Sequence, residues 1–355
     1  MSPMVLVLFV VGLVLLVVGA ELLVKGAARV AASFRISPLV IGLTVVAFGT
    51  SAPEMAVSVN ASVSGQGDIA LGNVVGSNIF NVLFILGLSA LIAPLVVSRQ
   101  LIRLDVPIMI GASLLVLLLA LDGRLGRLDG ALLFVLILAY TAFLIISSRR
   151  ENQVDDLPED KAAAPVWLNA LWIVIGLVML VLGARWLVNG AVSMALSFGV
   201  SERVVALTIV AAGTSLPEVA TSVMASIRGQ RDIAVGNVIG SNIFNLLAVL
   251  GLAALVAPSG VVVSEAVLRF DLLVMLAVAI ACLPIFISGM RIGRWEALLF
   301  LGYFILYTLH VVTSGTANSL PGLGSAVVFY LLPLTAVTLV LILLRDRLRN
   351  ASGKS

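Results

Sequence analysis

Charge is what this chain has least of: only 11% of its 355 residues are Asp, Glu, Lys or Arg. Soluble globular domains carry about 25%. With 61% of residues hydrophobic, the chain belongs in lipid, which excludes a water-soluble enzyme or binding domain. One cysteine, Cys282, excludes a disulfide framework and any multi-cysteine metal centre. One histidine, His310, excludes a histidine-rich metal site and reads as a packing residue. The apolar stretches also lack His-Glu motifs, nucleophile–base pairs and basic phosphate ligands, so an intramembrane peptidase or phosphotransferase is disfavoured. No cofactor and no nucleic-acid partner is expected, and the sequence is silent on oligomeric state. The N-terminus has no basic region ahead of its apolar run, so it reads as a retained first span rather than a signal peptide.

What is present is a set of long apolar runs. Windows of about twenty residues place spans near 3–24, 38–64, 70–93, 104–121, 128–147, 167–190, 203–227, 234–257, 268–288, 295–313 and 326–344. The stretch 149–166, with Asp155, Asp156, Glu159 and Asp160, reads as a solvated cytoplasmic linker; its acids lack the spacing of an EF-hand loop. Lys and Arg are distributed unequally, sixteen on one side and five (Arg124, Arg127, Arg185, Arg203 and Arg269) on the other. This bias predicts the N-terminus outside and the C-terminus cytoplasmic, in a cell or inner membrane.

The chain repeats itself. Leu43–Pro94 aligns without a gap onto Leu207–Pro258 at an offset of 164, with about two thirds of positions identical. The block Gly72-Asn-Val-Val-Gly-Ser-Asn-Ile-Phe-Asn81 returns as Gly236-Asn-Val-Ile-Gly-Ser-Asn-Ile-Phe-Asn245. Gly19-Ala-Glu21 faces Gly183-Ala-Arg185, and Arg103-Leu-Asp105 answers Arg269-Phe-Asp271. Each unit holds five spans, and because five is odd the second enters the membrane from the opposite side. The expected fold is an all-α polytopic membrane protein. It has two inverted-topology five-helix repeats plus one extra C-terminal transmembrane helix, with helices 2 and 7 broken. The expected units are 1–148, a linker at 149–166, the second repeat at 167–313, and an accessory helix with a basic tail at 314–355.

Chemistry concentrates in the duplicated block. Gly49-Thr-Ser-Ala-Pro-Glu54 and Gly213-Thr-Ser-Leu-Pro-Glu218 lie in mid-span. A carboxylate at that depth costs about 2.5–3.5 kcal/mol on insertion scales, so two in equivalent places need a function. No Lys or Arg lies within these spans to pair with them. Proline removes a helix donor, so the helix breaks and frees carbonyls around Ala47, Thr50, Ala211 and Thr214. Thr50, Ser51, Thr214 and Ser215 add hydroxyls on the same turns. Asn73, Ser77 and Asn81 are spaced i, i+4, i+8 and form one stripe, as do Asn237, Ser241 and Asn245. Oxygen donors without imidazole or thiolate suit hard cations.

Asn73, Asn78, Asn237 and Asn242 read as structural ties. Asp68 and Asp232 read as helix N-caps, and Lys25 as an i, i+4 partner of Glu21.

These doubled motifs, Gly-Thr-Ser-x-Pro-Glu followed by Gly-Asn-x-x-Gly-Ser-Asn-Ile, resemble the cation/calcium exchanger superfamily, specifically prokaryotic sodium/calcium exchangers. The resemblance covers about 310 residues. It implies that Glu54, Thr50, Glu218 and Thr214 ligate calcium. It also implies sodium sites at Ala47, Ser51, Ser77, Ala211, Ser215 and Ser241, with Asn81 and Asn245 completing the centre. The implied activity is antiport of Na⁺ against Ca²⁺ by alternating access, with the first and sixth spans as a sliding gate. Some relatives, including potassium-dependent exchangers, have Asp where Asn245 stands; Asn here argues against potassium co-transport. A cation/proton antiporter on the same scaffold is the alternative, and a passive channel is disfavoured.

Overall fold

The computed structural model describes residues 3–34, 36–151, 165–198 and 211–314, and these are almost wholly helical. Helix α1 is Pro3–Phe34. The second span is α2 (Pro38–Thr50) followed by α3 (Ala52–Val63), bent by 47° at the break. Then come α4 (Gly67–Ile92) and α5 (Leu101–Asp122), α6 (Arg127–Glu151) and α7 (Val166–Ser197). The seventh span is described from a short turn at Ala211–Gly213 into α8 (Leu216–Ile227). Helices α9 (Arg231–Val256), α10 (Val267–Ile287) and α11 (Arg294–Ser314) complete the described chain.

Among the described residues eight helices are long and apolar enough to cross a bilayer, nine with the bent α2/α3 pair counted as one. The expected eleventh span at 326–344, the linker acids and the first half of the seventh span lie outside the described residues. Two expected boundaries are corrected. The first and sixth spans do not stop near 24 and 190 but run on to Phe34 and Ser197 as 32-residue helices. At 1.5 Å per residue each is about 48 Å long, well beyond a bilayer core. Nothing in 25–34 or 191–197 breaks a helix, and the long side chains of Lys25 and Arg29 keep the extension compatible with the headgroup layer.

Duplicated contacts fit the repeat read from the sequence. Strand β1 (Leu95–Val96) pairs antiparallel with β4 (Arg291–Ile292), and β2 (Arg124–Leu125) with β3 (Val261–Val262). Each of these two-residue ladders joins one half of the chain to the other. Among the described residues they are the one departure from an all-α description, and no hydropathy window could reveal them. Tight turns with Gly65 at φ +77° and Gly229 at φ +73° reverse the chain between α3 and α4 and between α8 and α9; only glycine takes that conformation at little cost.

Asp68 and Asp232 are not N-caps. The cap positions are Gln66 and Gln230, and neither makes a side-chain cap bond. The helices begin two residues earlier than expected, at Gly67 and Arg231. The acids therefore sit in the first turn, where only the helix dipole favours them.

The centre is α4 and α9. Of their most apolar windows 67% and 83% is buried, against 11–44% for the other long described helices. Helix α9 lies directly on α2: a Cβ at Gly240 would stand 2.7 Å from both Cα and O of Leu43, and one at Gly236 would stand 2.9 Å from O of Leu39. At the periphery α1 and α7 cross with backbones touching. A Cβ on Gly19 would meet O of Gly176 at 2.8 Å, and one on Gly12 would meet O of Gly183 at 2.9 Å. Small residues let helices approach this closely in lipid.

The Gly240 contact is against backbone, which cannot rotate away. Gly240→Ala is expected to lower stability by about 1–3 kcal/mol, as overpacking does. Gly111→Ala, at an exposed helical position with no described atom near the new Cβ, is expected to change it by about 0.5 kcal/mol or less. Thermal unfolding in detergent compares the two.

Candidate cation site

Both carboxylates are fully buried, Glu54 at 0% and Glu218 at 1% exposure. Each is the third residue of the helix that restarts after a break, α3 or α8, with proline in the second position. Proline is tolerated in a first turn because its missing N–H has no intrahelical partner there anyway. The acids thus meet the positive end of a helix dipole in mid-membrane.

The two halves hold each other's acids. Ser51 Oγ donates to Glu218 Oε1 at 3.1 Å, and Ser215 Oγ donates to Glu54 Oε1 at 2.9 Å. Ser215 Oγ also reaches Ser77 Oγ at 3.3 Å. Since Ser51 precedes Glu54 by three residues and Ser215 precedes Glu218 likewise, this crosswise pattern puts the two breaks against one another. Thr50 Oγ1 donates to Asn237 Oδ1 at 3.1 Å.

A second layer fixes the backbone beneath. Asn73 Nδ2 donates to O of Glu54 (3.3 Å) and to Ser58 Oγ (3.0 Å). Asn237 Nδ2 does the same to O of Glu218 (3.4 Å) and Ser222 Oγ (2.9 Å). Asn73 and Asn237 therefore tie α4 and α9 to the broken helices, as expected. Ser58 and Ser222 were missed by the sequence reading, although each stands four residues after its Glu in both halves.

At the centre Asn78 and Asn242 clasp. Each Nδ2 donates to the other's backbone O at 3.3 Å. Asn81 Nδ2 donates to Asn242 Oδ1 at 3.0 Å, and Asn245 Nδ2 to Asn78 Oδ1 at 3.2 Å. Met275 and Met109 sulfurs accept from the same two amides at 3.7 and 3.5 Å. Asn81 and Asn245 each open a π-helical turn, Asn81–Leu86 and Asn245–Val249, a local widening often found at functional sites.

What remains unsatisfied marks the site. Buried atoms without a hydrogen-bond partner include Glu54 Oε2, Glu218 Oε2, Thr214 Oγ1, Ser241 Oγ, Asn81 Oδ1 and Asn245 Oδ1. Buried polar atoms are nearly always paired in native proteins; Ser89 Oγ and Asp105 Oδ2 elsewhere are also without a partner, so it is the grouping of six such oxygens on the sequence-predicted residues that points to a ligand. All are hard donors, and among the described residues no group of three or more His, Cys, Asp or Glu side chains forms a conventional metal cluster. One expectation fails. The Ala47 carbonyl is not freed by the break, because it accepts the N–H of Ser51 at 3.0 Å. The bend falls after Ala47, at Ser51, and Thr50 Oγ1 also stands 3.4 Å from this carbonyl. Ala211 opens the described part of its span.

The family model described as "Sodium/calcium exchanger protein" matches residues 4–146 and 168–313. The chain belongs to the sodium/calcium exchanger family. It is 41% identical to the putative antiporter CaxA of Alkalimonas amylolytica, over 76% of this chain and 84% of that protein. It is 39% identical to the inner membrane protein YrbG of Escherichia coli, over 84% and 94%. It superposes on a solved structure of the sodium-calcium exchanger NCX_Mj with TM-score 0.76 and 31% identity, covering 87% of this chain and 99% of that one. The exchanger is thus a multi-pass membrane transporter, not an enzyme, and cation/calcium exchange is its class of activity.

Away from the centre lies a second duplicated feature that sequence reading passed over. Tyr140 donates to Asp105 and Tyr307 to Asp271, both at 2.9 Å. The Arg-x-Asp repeat pointed to these acids, but their tyrosine partners lie 35 and 36 residues downstream with no motif around them. His310 packs on Phe270 with ring centroids 4.2 Å apart, as expected of a packing residue. Lys25 pairs with Glu21 at 2.7 Å, and Arg228 joins the same carboxylate.

The amide clasp is expected to act as one unit. Asn78→Ala and Asn242→Ala should each lower stability by about 1–3 kcal/mol, the cost of stranding buried polar partners. The double variant should lose clearly less than the sum of the two, because they share one network. A thermal double-mutant cycle measures this.

Proposed function

We propose that this exchanger moves Ca²⁺ in one direction against Na⁺ in the other, through one central site. Glu54 and Glu218 supply the calcium-binding carboxylates, with oxygens of Thr50 and Thr214 beside them. Ser51, Ser77, Ser215, Ser241 and the carbonyls of Ala47 and Ala211 complete sodium positions, with Asn81 and Asn245 between them. The observation that carries this reading is the cross-linked pair of carboxylates, each with one oxygen held by a serine of the opposite half and the other oxygen without a partner.

Two negative charges balance one divalent ion or two monovalent ions. Calcium takes six to eight oxygens at about 2.3–2.6 Å, a number that carboxylates, hydroxyls and carbonyls converging here can approach. The serine hydroxyls hold one oxygen of each carboxylate, and the charge of the other calls for a cation. Without a cation the two buried charges would repel each other, a state poorly suited to crossing the membrane. Obligatory exchange follows, because the site changes sides readily only when loaded. The gate is α1 with α7, whose mutual glycine-to-glycine contacts let the two helices move as one unit.

Sodium as the counter-ion is supported by the family description and by the sodium and calcium named for NCX_Mj. The excess of Lys and Arg on one side supports an outside N-terminus, and the likeness to an inner membrane protein supports that location.

In vesicles, an imposed sodium gradient is expected to drive ⁴⁵Ca²⁺ uptake, and a pH gradient alone to drive none. Glu54→Gln and Glu218→Gln should each reduce sodium-driven uptake at least tenfold; undiminished uptake in both overturns the assignment. Protons compete with calcium for the same carboxylate oxygens, because a metal ligand must be deprotonated. Uptake at fixed calcium should therefore fall steadily as pH drops from 7 to about 5, and excess calcium should restore it.

A further inference from the structure

Most contacts that build the cation site come in duplicate, Thr50–Asn237 and Ser215–Ser77 being the exceptions, and an ion pair at the gate also has no counterpart. Glu21, on α1, accepts from Arg228 at the C-terminal end of α8 and from Lys25 one turn along its own helix, at 2.7 Å. Arg228 is the C-cap residue of α8, and its N–H bonds back to O of Met224 and Ser226. Among the described residues this is the one ion pair that joins two different spans. The repeat-equivalent positions are Arg185 for Glu21, Asn189 for Lys25 and Ser64 for Arg228. Arg185 and Ser64 are both exposed, and a guanidinium opposite a hydroxyl makes no ion pair.

In an inverted-repeat transporter the two halves exchange conformations when the site changes sides. Contacts that occur identically in both halves contribute equally to the two end states and cannot favour either. The balance is set by contacts that lack a counterpart, since only a differential interaction shifts an equilibrium. We infer that the Glu21–Arg228 pair is a one-sided latch that sets the resting poise of the exchanger. It closes the face on which Arg228 lies, and the opposite-facing state offers only Arg185 against Ser64 in its place. Glu21 and Arg228 are positioning residues that touch neither ion. Lys25 holds the second side of the carboxylate, so Glu21 is already oriented when Arg228 arrives.

The inference rests on the alternating-access reading, and on the cytoplasmic placement of Arg228 for its sidedness. With that placement, the latch favours the outward-facing state. Breaking it should redistribute the population, and apparent affinity at each face scales with the fraction of protein open to that face. A partly exposed pair of this kind shifts an equilibrium by about 1.5- to 5-fold.

The test compares wild type, Arg228→Ala, Glu21→Gln and the charge-swapped double variant (Glu21→Arg with Arg228→Glu) in right-side-out and inside-out vesicles. Each single variant should tighten half-saturating calcium at the cytoplasmic face by about 1.5- to 5-fold and weaken it at the outer face. The swap should return both values toward wild type. A merely structural defect moves both faces the same way. Shifts in the same direction, no shift at either face, or a swap that fails to restore would each overturn the latch. Opposite shifts with the faces reversed keep the latch and invert the assigned orientation.

Absence of sodium-driven flux in wild type would count against the exchange reading alone. The latch is then read from hydrogen–deuterium exchange of the full chain in nanodiscs. Amides of 19–29 and 224–230 should exchange faster in Arg228→Ala and slow again in the swap, while α4 and α9 stay protected. Unchanged exchange in those segments overturns the latch.

Discussion

A carboxylate in the middle of a bilayer is the constraint to which the rest of this structure answers. Glu54 and Glu218 are buried, and among the described residues no lysine or arginine pairs with them, so each must find partners among neutral groups. The partners are hydroxyls from the other half, Ser51 for Glu218 and Ser215 for Glu54, and the exposed donors of a restarted helix. This requires both spans to break at the same depth and the breaks to face each other. It also requires two further helices behind them to carry amides that fix the broken backbone, the task of Asn73 and Asn237. The glycines of α9 let that support lie close enough against α2.

Satisfaction is deliberately incomplete in this arrangement. The hydrogen bonds hold one oxygen of each carboxylate and leave the second, together with several hydroxyl and amide oxygens, unpaired in a buried place. The serines that hold the acids also lie where sodium oxygens are proposed. A loaded site therefore needs modest rotation of side chains already present, not the recruitment of distant ones. The outer pairs Asp105–Tyr140 and Asp271–Tyr307 follow a different rule: each acid meets a tyrosine of its own half, which ties neighbouring spans together.

Much of this was legible in the sequence because the two halves are still so alike. Doubling turned weak signals, such as a serine beside a glutamate, into a pattern, and the i, i+4, i+8 spacing of Asn73, Ser77 and Asn81 gave the stripe directly. What could not be read was pairing across the halves. Nothing in Ser51 alone says that it serves Glu218 rather than Glu54, and nothing in Arg228 says that it reaches Glu21. Helix ends were misjudged where hydropathy fades before the helix does, at 25–34 and at 191–197. Asp68 and Asp232 read as caps only if helix onset is placed two residues late. The Ala47 carbonyl was thought free because proline's effect was assigned one turn too early.

The rim ladders β1–β4 and β2–β3 carry a consequence for how the chain is made. Each strand finds its partner only in the half synthesised at the other end of the polypeptide, and the same holds for the amide clasp and the serine–carboxylate links. When the ribosome has delivered the first five spans, their strand edges, amides and buried acid have nothing yet to bind. That half must wait in the bilayer with these groups unmet, and assembly is completed only after the later spans insert and dock.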